Sequence, residues 1–303
     1  MAGRVESMAE TKTILVAGAT GQQGGAVARA LVKRGHRVRG LTRNPEKIKE
    51  LKALGLEGVR GDLTDKASLA PALRGVDAFF VVTTPFTPDF SVDVETEVLQ
   101  GTTAIDAAKA ARVPHVVVTS VASADGGTGI PHFESKAEIE RHLKASGLRY
   151  TITRPVAFME IYGSPWMLPQ LQGGVLAQPM PAGTRQQLVA VRDIGEIVAR
   201  AIESPVKAAG KTVELAGDAL TMADIAARLS GKLGHPVRSV EQPDQEVIQR
   251  MGEDGMRMFR FFREQGYHVD IPALEREWGI RMTRFDEYLK DARLDSRPGP
   301  AWG

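Results

Sequence analysis

Short apolar runs alternate along the first half of the chain with stretches in which apolar side chains recur every three or four positions. The runs fit strands buried on both faces, and the recurring pattern fits helices with one inward stripe. Thr13–Val16 is the first run, and a glycine-rich turn separates it from a helical pattern reaching residue 34. Residues 37–43 predict a second strand, and Pro45 opens a helix through Leu54. A third strand over 57–61 and a helix over 66–74 follow. Residues 78–82 then form a fourth strand, and 93–111 a helix whose inward stripe is Val94, Val98, Ile105 and Ala108. Residues 115–119 predict a fifth strand. A helix headed by His132 runs to Ser146, where Gly147 stops it, and 150–154 predict a sixth strand entering Pro155.

Strand and helix alternating in this way define an α/β fold, a doubly wound parallel sheet with helices on both faces. The regular rhythm breaks beyond Pro155. Residues 157–183, rich in Pro and Gly, are expected as irregular segments folding over the carboxyl edge of the sheet, where loops shape substrate pockets. A helix over 193–203, a strand over 212–215 and a helix over 221–233 capped by Thr221 return to the earlier pattern. The expected organisation is a nucleotide-binding domain over 13–155 and a mixed region over 156–293 containing returning sheet elements and a smaller α/β substrate domain. Residues 1–12 and 294–303 are expected as tails.

Composition narrows the class. With 303 residues, 43% apolar and 25% charged, the chain can bury a full core, and a net charge of +2 with dispersed Lys and Arg gives no nucleic-acid or anionic-membrane footprint. Zero cysteines exclude disulfides, thiolate metal ligands and a cysteine nucleophile. No apolar run is long enough to span a bilayer and residues 1–12 lack a signal-peptide core, so a cytoplasmic location is the default expectation.

The candidate chemistry gathers at strand ends. Gly18, Thr20, Gly21, Gln22, Gln23 and Gly24 lie where an apolar strand becomes a small-residue helix, so backbone amides at the helix start form an anion cradle. Gly18 suits the turn, Gly21 a close backbone approach to pyrophosphate, and Gly24 close packing of helix on strand. The second strand ends in Thr42, Arg43 and Asn44 rather than an acidic residue. Arg43, with Lys47 nearby, therefore suits the 2′-phosphate of NADP(H) over the ribose hydroxyl of NAD(H). Asp62 could accept from an adenine amino group with Leu63 against the ring, or serve as a turn-making residue before the next helix. Thr83, Thr84 and Pro85 follow the fourth strand at the carboxyl edge. Ser120 follows the fifth, and His132 and Lys136, four residues apart, share one helix face beside it. That trio is a candidate for proton transfer beside a nicotinamide.

Together these motifs resemble the NmrA-like branch of the atypical short-chain dehydrogenase/reductase superfamily, over a match from Ile14 to about Leu289. The segments carrying the resemblance include the glycine turn, Arg43, Gly61-Asp62-Leu63 and His132-Phe133-Glu134-Ser135-Lys136. Thr153-Arg154-Pro155, Phe158-Met159-Glu160 and Arg192-Asp193-Ile194-Gly195 complete them. The resemblance implies an NADP-binding Rossmann domain, with Pro155 and Phe158 completing the cofactor-contacting set. Typical superfamily members use Tyr-x-x-x-Lys, and here His132 stands at the tyrosine position, while Ser120 and Lys136 carry over. The expected function is NADPH-dependent reduction of a quinone or similar unsaturated acceptor, with Lys136 on the nicotinamide ribose, Ser120 on the acceptor oxygen and His132 donating the proton. The alternative is a non-catalytic NADPH/NADP redox sensor acting through a protein partner. The expected assembly is a monomer or homodimer, with no metal.

Overall fold

The computed structural model describes residues 10–87 and 91–294. Its first half runs β1 (Thr13–Val16), α1 (Gln22–Lys33), β2 (Arg37–Thr42), α2 (Lys47–Ala53), β3 (Glu57–Arg60), α3 (Lys66–Ala72), β4 (Ala78–Val81), α4 (Val94–Ala110), β5 (Val116–Thr119), α5 (Pro131–Ala145) and β6 (Tyr150–Pro155). The second half adds β7 (Ala157–Phe158), α6 (Leu168–Gln172), β8 (Val175–Gln178), β9 (Arg185–Val189), α7 (Val191–Glu203), α8 (Pro205–Ala208) and β10 (Lys211–Leu215). It ends with β11 (Asp218–Thr221), α9 (Met222–Leu233), β12 (Arg238–Glu241), α10 (Asp244–Glu264), α11 (Ile271–Trp278) and α12 (Phe285–Asp291).

Among the described residues, β10-β6-β5-β4-β1-β2-β3 form one sheet in which every pairing is parallel. Leu15 pairs with Arg39 of β2 on one side and Phe79 of β4 on the other. Strand order therefore reverses between β1 and β4, which opens a crevice outside their carboxyl ends. Successive side chains point to opposite faces, so Leu15, Phe79 and Val118 enter one apolar layer while Ile14, Phe80 and Val117 enter the other. Burying a side chain the size of Phe79 contributes about 1.5–3 kcal/mol. The second layer continues into the C-terminal half through Leu171, Phe259 and Phe285.

The Arg192-Asp193-Ile194-Gly195 segment has a structural explanation. A Cβ on Gly195 would fall 2.6 Å from Ala26 O, so glycine lets α7 cross α1 closely. The buried Asp193 carboxylate accepts from Thr283 N–H at 2.7 Å and Thr283 Oγ1 at 2.8 Å, tying the C-terminal segment to α7.

Several expectations need correction. Residues 163–183 are not wholly irregular: they contain α6 and β8, and β8 pairs in parallel with β12. The inward face of α4 is Glu97, Gly101, Ala104, Ile105 and Ala108, whereas Val94 and Val98 are only half-buried. Small residues face inward there because α5 packs so near that a Cβ on Gly101 would meet Ile139 at 2.6 Å. Of the expected tails, Lys12 bonds His36 and Arg37, and Leu294 is buried in the core. Residues 1–9 and 295–303 of those tails lie outside the described residues. No helix among the described residues is long and apolar enough to cross a membrane.

Candidate active site

β1 ends at Val16 and the chain turns through Gly18, whose φ of +62° is a left-handed conformation that glycine adopts without strain. Gly21 N–H donates to Gly18 O at 2.8 Å, and α1 begins one residue later. A Cβ on Gly24 would lie 2.2 Å from Gly18 O and 2.4 Å from Ala17 O, so the helix presses on the turn only with glycine there. The N-cap, Gly21, gives the first turn no side-chain bond, and no acidic residue stands in that turn. Amides of Gln22, Gln23 and Gly24 are thereby left for an anion. Thr20 and Gln22 are half-buried at this opening, and Thr119 Oγ1 donates to Gln23 Oε1 at 2.8 Å, joining α1 to β5.

Arg43 is exposed just past β2 and Lys47 opens α2, and neither makes an ion pair with a described residue. Both cations are free to meet a phosphate. Asp62 serves first as a turn-maker: its Oδ1 accepts from Thr64 N–H and Thr64 Oγ1, both at 2.9 Å, while Asp65 caps α3. Leu63 is half-buried against the apolar layer containing Leu15.

The sharpest feature is a buried polar cluster at the carboxyl end of β4. Lys136 Nζ donates to Thr83 O at 3.1 Å and Thr83 Oγ1 at 2.8 Å, and pairs with Glu97 Oε1 at 2.8 Å. Glu97, wholly buried, also accepts from Thr83 Oγ1 at 2.9 Å and Ser135 Oγ at 2.5 Å. All three Nζ hydrogens are engaged, so Lys136 pins the Thr83 turn and places one positive charge beneath it. Thr84 is exposed, its Oγ1 accepting from Phe86 N–H, and buried Pro85 accepts from Asp93 N–H.

One turn back along α5, His132 is buried against a carboxylate from the C-terminal half. Asp254 Oδ2 lies 2.6 Å from Nδ1 of the ring, and Asp254 Oδ1 accepts from His132 N–H at 3.0 Å. The rings of Phe86 and Phe133 stand 5.5 and 4.8 Å from the imidazole. One turn forward, Glu140 receives Arg154 in a bidentate pair, Nε at 2.8 Å and Nη2 at 2.7 Å. Burial opposes charge on Glu140, but the guanidinium holds its carboxyl below the ordinary value.

His132 and Lys136 do share one buried face, as expected, but each is held by its own partner. Ser120 is not joined to either by a hydrogen bond: its Oγ is sealed from solvent without a bonded partner and lies toward Glu140. Pro155 ends β6 with its carbonyl accepting from Ala122 N–H, and Phe158, in β7, is half-buried against the core. Glu97 and Asp254 were missed by sequence reasoning. A cavity of about 530 Å³ lined by Arg185, Gln187, Phe262, Tyr267 and His268 is separate, since no residue of the glycine turn, the Thr83 loop or α5 borders it.

Fold and turn define a Rossmann-class protein with its crevice between β1 and β4. The chain belongs to the NmrA-like family, whose sequence profile matches residues 10–290. It is 31% identical over 245 residues to NAD(P)H azoreductase of Xenophilus azovorans, spanning 80% of this chain and 82% of that protein. An NADPH-dependent quinone oxidoreductase of Escherichia coli, solved with NADPH, matches with TM-score 0.77 and 27% identity, over 91% of this chain and 98% of that one. NmrA, a negative transcriptional regulator, shares the fold with TM-score 0.73 at 20% identity, over 93% of this chain and 95% of its own.

Proposed function

We propose that this protein is an NADPH-dependent reductase whose acceptor is a quinone, an azo compound or a similarly conjugated molecule. The observation that carries the reading is the glycine turn: Gly24 packed against Gly18 O, with an uncapped, acid-free helix start above the sheet crevice. That cradle fits a pyrophosphate. Arg43 and Lys47, unpaired beside β2, fit the extra phosphate of NADP(H) and favour it over NAD(H). Leu63 offers an apolar side chain for adenine, and Thr84 and Pro85 after β4, with Pro155 and Phe158 at the end of β6 and in β7, are the residues at the carboxyl edge that the nicotinamide end would meet.

NADPH, when bound, supplies hydride. The chain's own residues orient and protonate. Lys136, its charge compensated by Glu97, fixes Thr83, and His132, once protonated on both ring nitrogens, offers a proton beside the partly exposed Phe86. Ser120 Oγ reaches an acceptor oxygen only if the loop after β5 moves, because the hydroxyl is closed off in this arrangement.

Similarity to the azoreductase and the quinone oxidoreductase supports the choice of acceptor class. The two classes differ in what they ask of His132. A hydroquinone anion can take its proton from water, whereas reduction of an azo bond places a proton on a poorly acidic nitrogen. NADPH oxidation is therefore measured with both acceptors for wild type and His132→Ala. A kcat loss of about tenfold or more with the azo dye and a smaller one with the quinone is expected. Equal, full turnover by the variant with both would remove the proton-donor role.

A further inference from the structure

A donor histidine must present the right nitrogen, and a residue outside the nucleotide-binding half decides which one. We propose that Asp254 is a positioning residue of the active site: it keeps a hydrogen on Nδ1 of His132, so that Nε2 is the nitrogen that takes a proton from water and, from the resulting imidazolium, passes it to the acceptor, and it caps α5 at the same time. The catalytic consequence rests on the reductase reading. The tautomer rests on geometry alone.

Both Asp254 oxygens are spent on His132, one on the backbone N–H at 3.0 Å and one on ring Nδ1 at 2.6 Å. An ionised carboxylate only accepts, so Nδ1 must carry hydrogen, and the neutral ring's lone pair falls on Nε2. Nε2 has no partner among the described residues, yet it is not among the sealed polar atoms. Phe86 and Phe133 flank the ring and limit its rotation. The other charged groups at this corner are turned away from the ring. Arg257 Nη1 donates to Gly129 O, Glu134 Oε1 accepts from Gly129 N–H, and Lys136 faces Glu97.

The helix geometry explains why the carboxylate comes from so far along the chain. The N-cap of α5 is Ile130, whose side chain accepts nothing, and Pro131 follows. His132 N–H is thus an orphan donor that needs an outside acceptor. Inside α10, Gly252 takes φ +67° and ψ −173°, breaking the helix two residues before Asp254. Downstream, Phe261 packs on Phe133 at 5.8 Å. The break and the aromatic anchor together deliver Asp254 to the head of α5, so the C-terminal half completes a site that the nucleotide-binding half begins.

Asp254→Asn separates the two roles. The asparagine oxygen still accepts from His132 N–H and keeps the cap, but its amide donates toward Nδ1, inverts the tautomer and opposes the doubly protonated ring from which Nε2 gives its proton. The readout is two-bond nitrogen–proton NMR of isotope-labelled histidine with the ring neutral, assigned with His132→Ala. Wild type is expected as Nδ1–H and Asp254→Asn as Nε2–H. The variant's kcat on the azo dye is expected to fall at least about tenfold while its melting temperature and NADPH affinity stay put. An Nε2–H wild type, or a variant spectrum like wild type, overturns the assignment. A switched tautomer with unchanged kcat overturns the positioning role. If wild type reduces no acceptor, the reductase reading fails while the spectrum still decides Asp254. Should the variant not fold, the wild-type spectrum alone decides the tautomer.

Discussion

Removing the charge of Glu97 tests the buried cluster most sharply. Its side chain is 0% exposed and that of Lys136 only 10%, so water cannot replace the partner that is lost. Breaking a buried pair at one end costs about 3–5 kcal/mol, because the remaining charge is stranded. Glu97→Gln keeps the volume and one acceptor oxygen, which puts it near the lower end, about 3 kcal/mol. Glu97→Ala also removes the acceptor of the Thr83 hydroxyl, adding about 1 kcal/mol, while Ser135 Oγ keeps the His132 carbonyl as acceptor at 3.1 Å. Native stabilities run to about 5–15 kcal/mol, so either loss is a large fraction of the whole. The assay is urea unfolding followed by far-ultraviolet circular dichroism, comparing midpoints at constant slope. Replacing both partners, Glu97→Leu with Lys136→Met, should recover most of the loss, since an apolar pair of similar size needs no charge compensation. A Glu97→Gln protein within about 0.5 kcal/mol of wild type would refute the reasoning, because that is the scale of a surface substitution. So would a double variant no better than the single.

Three further outcomes are expected. Gly24→Ala puts a Cβ 2.2 Å from Gly18 O, so the cradle must open; NADPH should bind at least about tenfold more weakly by fluorescence titration, a loss of about 1.4 kcal/mol, with far-ultraviolet dichroism retained. Arg43→Ala should weaken NADPH by a similar factor and leave NADH unchanged, and equal losses for both would remove the 2′-phosphate contact. Stability against pH carries two opposed contributions. Burial, with Asp193 adding to it against the opposing Val191 N–H bond, pushes the Glu160 carboxyl from 4.5 up to about 7, and its Oε2 is sealed without a partner. The native state then holds a proton that the unfolded chain has released, so this stability is present below about 4.5 and lost as pH rises to about 7. Burial, with Arg149 and Lys12 nearby, pushes His115 from 6.5 down to about 4. Here the unfolded chain binds the proton, so stability is present above 6.5 and lost as pH falls toward 4. Each full swing is of order 3 kcal/mol, and the two oppose one another between about 4.5 and 6.5. Glu160→Gln should expose loss on acidification in that window, and His115→Gln loss on alkalinisation; a Glu160→Gln profile that superimposes on wild type would contradict the Glu160 contribution, and a superimposing His115→Gln profile the His115 one.

The strands and helices of the main sheet were legible because both of their periods are local. The same holds for the glycine turn and for the shared face of His132 and Lys136, whose four-residue spacing is a property of one helix. What holds those side chains is not local. Glu97 reads as a solvent-facing acid in sequence, and only the approach of α5 turns its stripe of Gly101, Ala104 and Ala108 inward. The clue was the spacing of small residues, outweighed by the larger valines one position along. Asp254 lies more than a hundred residues from His132, and its one local sign is a glycine, Gly252, inside an otherwise helical stretch. α6 and β8 escaped notice because both are short and set among Pro165, Pro169, Gly173, Gly174 and Pro179, which read as breakers. Asp62 was readable in both roles, and the turn bond to Thr64 is the one the structure fills.

The central claim is that the glycine turn and the His132–Lys136 face make one reductase site. Its most direct measurement is NADPH oxidation with a panel of quinones and azo dyes, with NADPH binding confirmed in the same preparation, for wild type and Lys136→Ala side by side. The account expects acceptor-dependent turnover by wild type that Lys136→Ala loses. Tight NADPH binding with no acceptor reduced would contradict it and leave a protein that binds the nucleotide without using its hydride.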